Sequence, residues 1–191
     1  KFSNIHKKNK FKLIYCPPYT LLNLFSRKVK NTRILLGAQN CHHEQNNSAF
    51  TGSISAKMIK KLGAKYVIVG HSEVRSAGET DVLINRKIKT LINNNLKIIF
   101  CIGETLPQRK KKQTYRVLKN QISNGLKGIK NKKNILIAYE PIWSIGTGII
   151  PKIIDLNNDV KYLKNFLIKK IKIKNPKVLY GGSVNHKNIT D

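Results

Sequence analysis

Six short apolar runs, spaced along nearly the whole chain, constrain its fold more than any other feature. They are "KLIYC" from residue 12, "RILLG" from 33, "KYVIVG" from 65, "KIIFCIG" from 97, "NILIAYE" from 134 and "KVLYGG" from 177. Each is continuous and rich in Ile, Val and Leu, the pattern of a strand buried on both faces. Amphipathic, lysine-edged segments long enough for helices lie between most of them. "SISAKMIKKLG" opens on Ser53 as its cap and closes on Gly63. "TDVLINRKIKTLINNN" and "NNDVKYLKNFLIKKIKI" place apolar residues at helical spacing. Strand and helix in repeated alternation call for parallel pairing and right-handed crossovers.

Two architectures fit that alternation: an open doubly wound sheet and a closed (β/α)₈ barrel. The first run is followed by "CPPYT" and not by a G-x-G-x-x-G turn, which counts against a dinucleotide-binding sheet. The runs end instead in "CPP", "GAQN", "GHSE", "CIGE", "YEPIW" and "YGGS", small and chemically active residues collected at the carboxyl ends of strands. A (β/α)₈ barrel builds its active site on that face. The expectation is therefore an α/β chain of one partial barrel domain over residues 1–191, with about six of the eight βα units present. A whole barrel takes about 250 residues, so strands at one or both ends are expected to be missing.

The chain carries 37 basic against 9 acidic residues, a formal net charge of +28. Such an excess suits nucleic acid or an anionic membrane. The lysines are scattered among Ile and Asn, few aromatics are interleaved, and no RNA-binding or helix-turn-helix signature is present. A solvated lysine coat is the better reading, with no specific nucleic-acid partner. Cys16, Cys41 and Cys101 are far apart and lack metal-ligand spacing, which fits a reduced compartment and predicts no metal. No run approaches the ~18 apolar residues of a membrane span, so a cytoplasmic location is expected.

The stretch "ILIAYEPIWSIGTG", residues 135–148, ends an apolar run on a lone carboxylate, Glu140. A carboxylate at the end of a buried strand is partly desolvated, which raises its pKa toward a general base's working range. The alternative is a structural carboxylate paired with a lysine. Pro141 stiffens the backbone beside it, and Gly146 and Gly148 permit an extreme path, a combination that describes a closing lid. His71, in "VGHSE", stands at another strand end beside Ser72 and Glu73; it is a catalyst or a satisfied structural histidine. "YGGS", Tyr180 to Ser183, leads two glycines into a probable helix start, suited to a phosphate or to an ordinary tight turn.

Together "GAQN", "AFTG", "YVIVGHSE", "CIGETL", "AYEPIWSIGTG" and "LYGGSV" resemble, in this order, the triosephosphate isomerases, over essentially residues 12–187. The resemblance implies a TIM barrel that interconverts dihydroxyacetone phosphate and glyceraldehyde 3-phosphate without a cofactor. In that family a glutamate base works with a neutral histidine electrophile under a closing loop. It assigns the base to Glu140 and the electrophile to His71. The lid runs from Pro141 to about Pro151, with Trp143 and Thr147 in it. The N–H groups of Gly146 and Ser183 hold the substrate phosphate, Tyr180 latches the closed lid, and Ser72 and Glu73 support the histidine. A homodimer is implied too, with a loop "CHHEQNNSAFTG" that enters the partner near Thr51.

The chain also departs from the family pattern. The N-x-K motif that ends the family's first strand, and the two glycines of its last strand, are not found. A glutamate is usual where Ser53 stands, and the first of two arginines where Val74 stands, with Arg75 able to fill either place; both losses together imply a remade dimer contact. "GIIP" replaces the usual lysine and small residue at the far lid hinge. An inert remnant that at most binds a phosphorylated ligand is the alternative to a working isomerase.

Overall fold

The computed structural model describes residues 11–44 and 49–185. The tail of a first helix, expected over residues 1–10, lies outside them. All six apolar runs form strands, and the chain groups into two compact units.

The first unit contains β1 (Ile14–Tyr15), α1 (Tyr19–Val29), β2 (Leu35–Ala38), α2 (Ala56–Lys61) and β3 (Tyr66–Val69). It also contains the second half of α4 (Asp81–Asn93) and the start of β4 (Lys97–Ile102). Its strands pair in parallel and in chain order, with Ile14 opposite Leu35 and Gly37 opposite Tyr66. The ladder continues where the Lys97 N–H donates to the Lys65 carbonyl at 2.9 Å. Ala38 and Val67 on the strands are fully buried, as runs without polar alternation require, and so are Leu22, Ile59, Ile88 and Leu91 on the helices. One sequence expectation is corrected here. Helix α2 is capped by Ser55, whose hydroxyl accepts from the Met58 N–H at 3.2 Å, and not by Ser53. The turn at Thr51 and Gly52, closed by Ser53 N–H to the Phe50 carbonyl, occupies Ser53 and delays the helix by two residues.

The second unit contains α3 (Ser72–Ser76), the first part of α4, most of β4, α5 (Leu106–Lys110), α6 (Thr114–Gly125), β5 (Ile135–Tyr139), α7 (Ile153–Lys169) and β6 (Val178–Tyr180). A single 3₁₀ turn, Ile142–Ser144, follows β5. Strands β4, β5 and β6 lie in chain order. Strand β4 follows β3 on one side and precedes β5 on the other, so the order β1 to β6 holds no reversal, which removes the doubly wound alternative, since that fold is defined by such a reversal. Helix α7 begins at Ile153, before the expected "NNDV", because Pro151 and Lys152 end the extended path just ahead of it.

Two hydrogen bonds fix the end of β5. The Glu140 N–H donates to the Ile102 carbonyl and the Gly181 N–H to the Tyr139 carbonyl, both at 2.8 Å. Backbones meet so closely here that a β-carbon on Gly103 would lie 1.7 Å from the Glu140 carbonyl oxygen. No side-chain rotation relieves a clash with backbone. Gly103→Ala is expected to destabilise by more than the ~1–3 kcal/mol of ordinary overpacking, read as a lower urea midpoint at unchanged slope. An unaltered midpoint would mean that the β5 backbone shifts freely.

Candidate active site

Glu140 leaves the end of β5 with its side chain only 8% exposed. Gly70, Ser72, Arg75, Ile102, Gly103 and Ile142 close around it and leave no room for a water molecule. A β-carbon on Gly181 would come 2.8 Å from the Glu140 γ-carbon, so that glycine makes space for the carboxylate. Burial pushes the Glu140 pKa up; hydrogen bonds from the Cys101 thiol and the Ser72 backbone, the positive charge of Arg75 and, when its ring is protonated, that of His71 oppose the rise. Desolvation wins, as expected of a base poised above the ordinary carboxylate range.

His71 is the residue before α3 and caps it. Its Nδ1 accepts from the Glu73 N–H at 3.4 Å. A ring nitrogen that accepts a hydrogen bond carries no proton, so in the neutral ring the proton sits on Nε2. Nε2 lies 3.8 Å from Glu140 Oε1. A donor N–H and a desolvated carboxylate thus face the same small space. The Glu73 carboxylate stays exposed, 3.7 Å from His71 Nδ1, while its backbone does the orienting. Ser72 is buried and offers its N–H to Glu140.

Arg75 turns inward. It donates to Asp81 Oδ1 at 2.7 Å and to the carbonyls of Gly70 and Cys101 at 2.8 and 3.3 Å. These bonds lock the loop carrying His71 to the end of β4.

The lid residues converge on Ser144, which sequence reasoning did not single out. Its hydroxyl donates to the Ile149 carbonyl at 2.8 Å and lies 2.9 Å from the Tyr180 hydroxyl. Its carbonyl accepts from the Ser183 hydroxyl at 2.6 Å. Thr147 closes the loop on itself, donating to the Trp143 carbonyl and accepting from the Ile149 N–H. Gly146 and Gly148 take positive φ angles of 66° and 73° and are exposed, as are Ile149 and Ile150. Pro141, Tyr180 and Ser183 are thus brought together around one serine, while Trp143 and Thr147 bond to each other beside it. The helix expected after Ser183 falls outside the described residues. Thr51 belongs to the first unit, exposed on its turn.

A buried polar network behind the lid was also missed. Trp143 Nε1 donates to Glu104 Oε1 at 3.0 Å, and the Arg109 guanidinium lies 5.7 Å from the indole centroid. The Tyr139 hydroxyl sits 3.2 Å from Glu104 Oε2 and 3.1 Å from Asp159 Oδ2, which also receives Arg109. Burial raises the Glu104 pKa, against the hydrogen bond from Trp143 and the charge of Arg109. The available signal was the "CIGE" run itself, which ends a strand on a carboxylate just as "AYE" does.

Among the described residues no group of His, Cys, Asp or Glu is arranged to hold a metal ion, and no helix is long and apolar enough to cross a membrane.

A family model described as triosephosphate isomerase matches residues 1–191. A triosephosphate isomerase of Alkaliphilus metalliredigens is 43% identical over 185 residues, covering 94% of this chain and 74% of that protein. The one from Thermoanaerobacter pseudethanolicus is 40% identical over 191 residues, 97% of this chain and 77% of its own length. That of Aquifex aeolicus is 41% identical over 181 residues, 92% and 72%. The six parallel strands and their intervening helices are those of a partial (β/α)₈ barrel. The chain belongs to the triosephosphate isomerase family.

Proposed function

We propose that the protein interconverts dihydroxyacetone phosphate and D-glyceraldehyde 3-phosphate, with Glu140 as the base and His71 as the electrophile. The observation that carries this assignment is the facing pair: His71 Nε2 stands 3.8 Å from Glu140 Oε1, with the proton fixed on Nε2 by the Glu73 N–H. Glu140 takes a proton from the substrate carbon beside the carbonyl. The electron pair left behind moves onto the carbonyl oxygen and forms an enediolate. His71 Nε2 gives its proton to the oxygen that was the carbonyl and takes the proton of the neighbouring hydroxyl; Glu140 then returns its proton to the former carbonyl carbon as the other carbon becomes the new carbonyl. Donors aimed at developing negative charge, in a space without water, are worth far more than in solution.

The substrate phosphate is held by the N–H groups of Gly146 and Ser183, and lid closure brings the first of these onto it. Tyr180 and Ser183 already grip the near half of the lid through Ser144, so closure moves mainly the exposed Gly146–Ile150 half. The enzyme acts without a cofactor as a cytoplasmic homodimer, in which the loop around Thr51 meets the partner, with Ser53 and Val74 in place of the family's usual charged pair.

The pH profile tests the base. Glu140 must be ionised to accept a proton, so kcat/KM should rise with pH through the pKa of the free enzyme. Burial sets that pKa above the ordinary 4.5. The acidic limb is expected above that value and absent from the residual activity of Glu140→Gln. A limb at 4.5 or lower would remove the desolvated base from the mechanism.

A further inference from the structure

We propose that the groove between α6 and α7 is a second binding site, for a nucleoside monophosphate. Its volume is about 590 Å³, and its lining includes Lys119 and Ser123 from α6, with Tyr162, Phe166, Lys169 and Lys170 from α7 and its end. That volume suits one small ligand. No carboxylate is among the lining residues, so the groove carries an uncompensated charge of three lysines.

Its apolar part is aromatic and ordered. The Tyr162 and Phe166 rings are parallel within 4°, with centroids 6.4 Å apart. Tyr115 stacks on Tyr162 at 4.0 Å and 12°. The Tyr115 hydroxyl faces Asp159, which places the stack beside the buried network of Arg109 and Tyr139. The rings are therefore held in place before a ligand arrives, which limits the entropy lost on binding. Parallel rings beside lysines are the combination that takes a base on its π-face and a phosphate on the ammonium groups. Residues 115, 162 and 166 come together only in the fold, so the sequence shows them as separate aromatics in lysine-rich helices.

Equilibrium dialysis of the full chain against labelled AMP, at low salt and with excess dihydroxyacetone phosphate present, tests the site. AMP is expected to bind with the substrate mixture present. Lys169→Glu/Lys170→Glu, two exposed positions, should weaken it by about tenfold, given the strength of charge-assisted phosphate contacts. The charge-matched control Lys130→Glu/Lys133→Glu, also at exposed positions, should leave it unchanged. Phe166→Leu keeps the apolar bulk but removes a ring; it should weaken AMP by roughly tenfold and leave pyrophosphate binding unaltered. Displacement of AMP by dihydroxyacetone phosphate would overturn the proposal by placing AMP in the catalytic site. Equal loss in both lysine pairs, pyrophosphate binding as tight as AMP, or tight binding of oligo(dA) alone would overturn it too. The first two outcomes reduce the groove to general positive charge, and the last makes it a single-strand surface. None of these results depends on turnover, so the isomerase assignment stands or falls separately.

Discussion

Glu140→Gln is expected to lower kcat about 10²- to 10⁴-fold, the contribution of a positioned general base, with KM for dihydroxyacetone phosphate little changed. The amide keeps the carboxylate's shape and fills the same closed space, so substrate binding has no reason to fail. What disappears is the group that accepts and returns the proton. The same substitution should stabilise the fold at neutral pH. Burial raises the folded-state pKa of Glu140 above its unfolded value near 4.5. The folded state therefore binds more protons in that window, and stability falls as pH rises through the raised value. Above the unfolded-state value the wild-type protein bears the cost of keeping this buried group ionised or of protonating it, and the glutamine variant bears neither. Steady-state kinetics and urea unfolding on the same preparations check both halves: less activity together with more stability. A drop in activity accompanied by a lower urea midpoint would mean that Glu140 is structural.

His71→Gln is the second large effect, about 10²- to 10³-fold in kcat, the range for removing one donor to a developing oxyanion. Two functions reside in this ring. Nε2 supplies the donor, and Nδ1 caps α3 through the Glu73 N–H. Glutamine reproduces neither the fixed direction of the donor nor the cap. The loss is expected in kcat, because the electrophile acts on charge that exists only after proton removal. A variant that instead raised KM with kcat intact would place His71 in substrate binding alone.

How much of this was legible in the sequence follows from which contacts are local. The six strands were readable because buried parallel strands carry unbroken Ile, Val and Leu, and each run then marks its own end with small or charged residues. Glu140 and His71 stood out for the same reason: a polar group at the end of an apolar run has few bland explanations. The cap of α2 was misplaced because Ser53 and Ser55 look alike in sequence. Only the turn at Thr51 and Gly52, bonded through Phe50, decides between them. Asp159 was invisible as a network member because it lies in a lysine-rich helix that reads as a solvated face. It is in fact 4% exposed and bonded to Arg109 and Tyr139. Ser144 likewise looked like one residue of a loose loop, yet it gathers Tyr180, Ser183 and Ile149. The family resemblance assigned Tyr180 to the lid latch and Ser183 to the phosphate; the structure adds the serine that both side chains contact.

The network behind the lid also explains why Trp143 is held as it is. Its indole N–H reaches a fully buried carboxylate, Glu104, whose other partners are Arg109 and Tyr139. A buried charge without partners would be costly, so the near end of the lid is anchored by the need to satisfy Glu104. The far end, with Ile149 and Ile150 exposed, is held by the Ser144 hydroxyl on the Ile149 carbonyl and by the Ile149 N–H on Thr147, neither of them a buried charge. If the loop closes as proposed, motion is expected in the Gly146–Ile150 half, where the glycines permit it.

Exchange of substrate hydrogen with solvent tests the central claim most directly. Dihydroxyacetone phosphate is incubated with the protein in D₂O and followed by ¹H NMR. A base that lifts the proton and returns one exchanged with solvent puts deuterium on the carbon it serves. The wild-type protein is expected to label both dihydroxyacetone phosphate and the glyceraldehyde 3-phosphate formed from it, and Glu140→Gln to slow labelling and isomerisation together. Labelling that persists at the wild-type rate in Glu140→Gln, or a wild-type protein that labels neither triose, would contradict the assignment of Glu140 as the base of a triosephosphate isomerase.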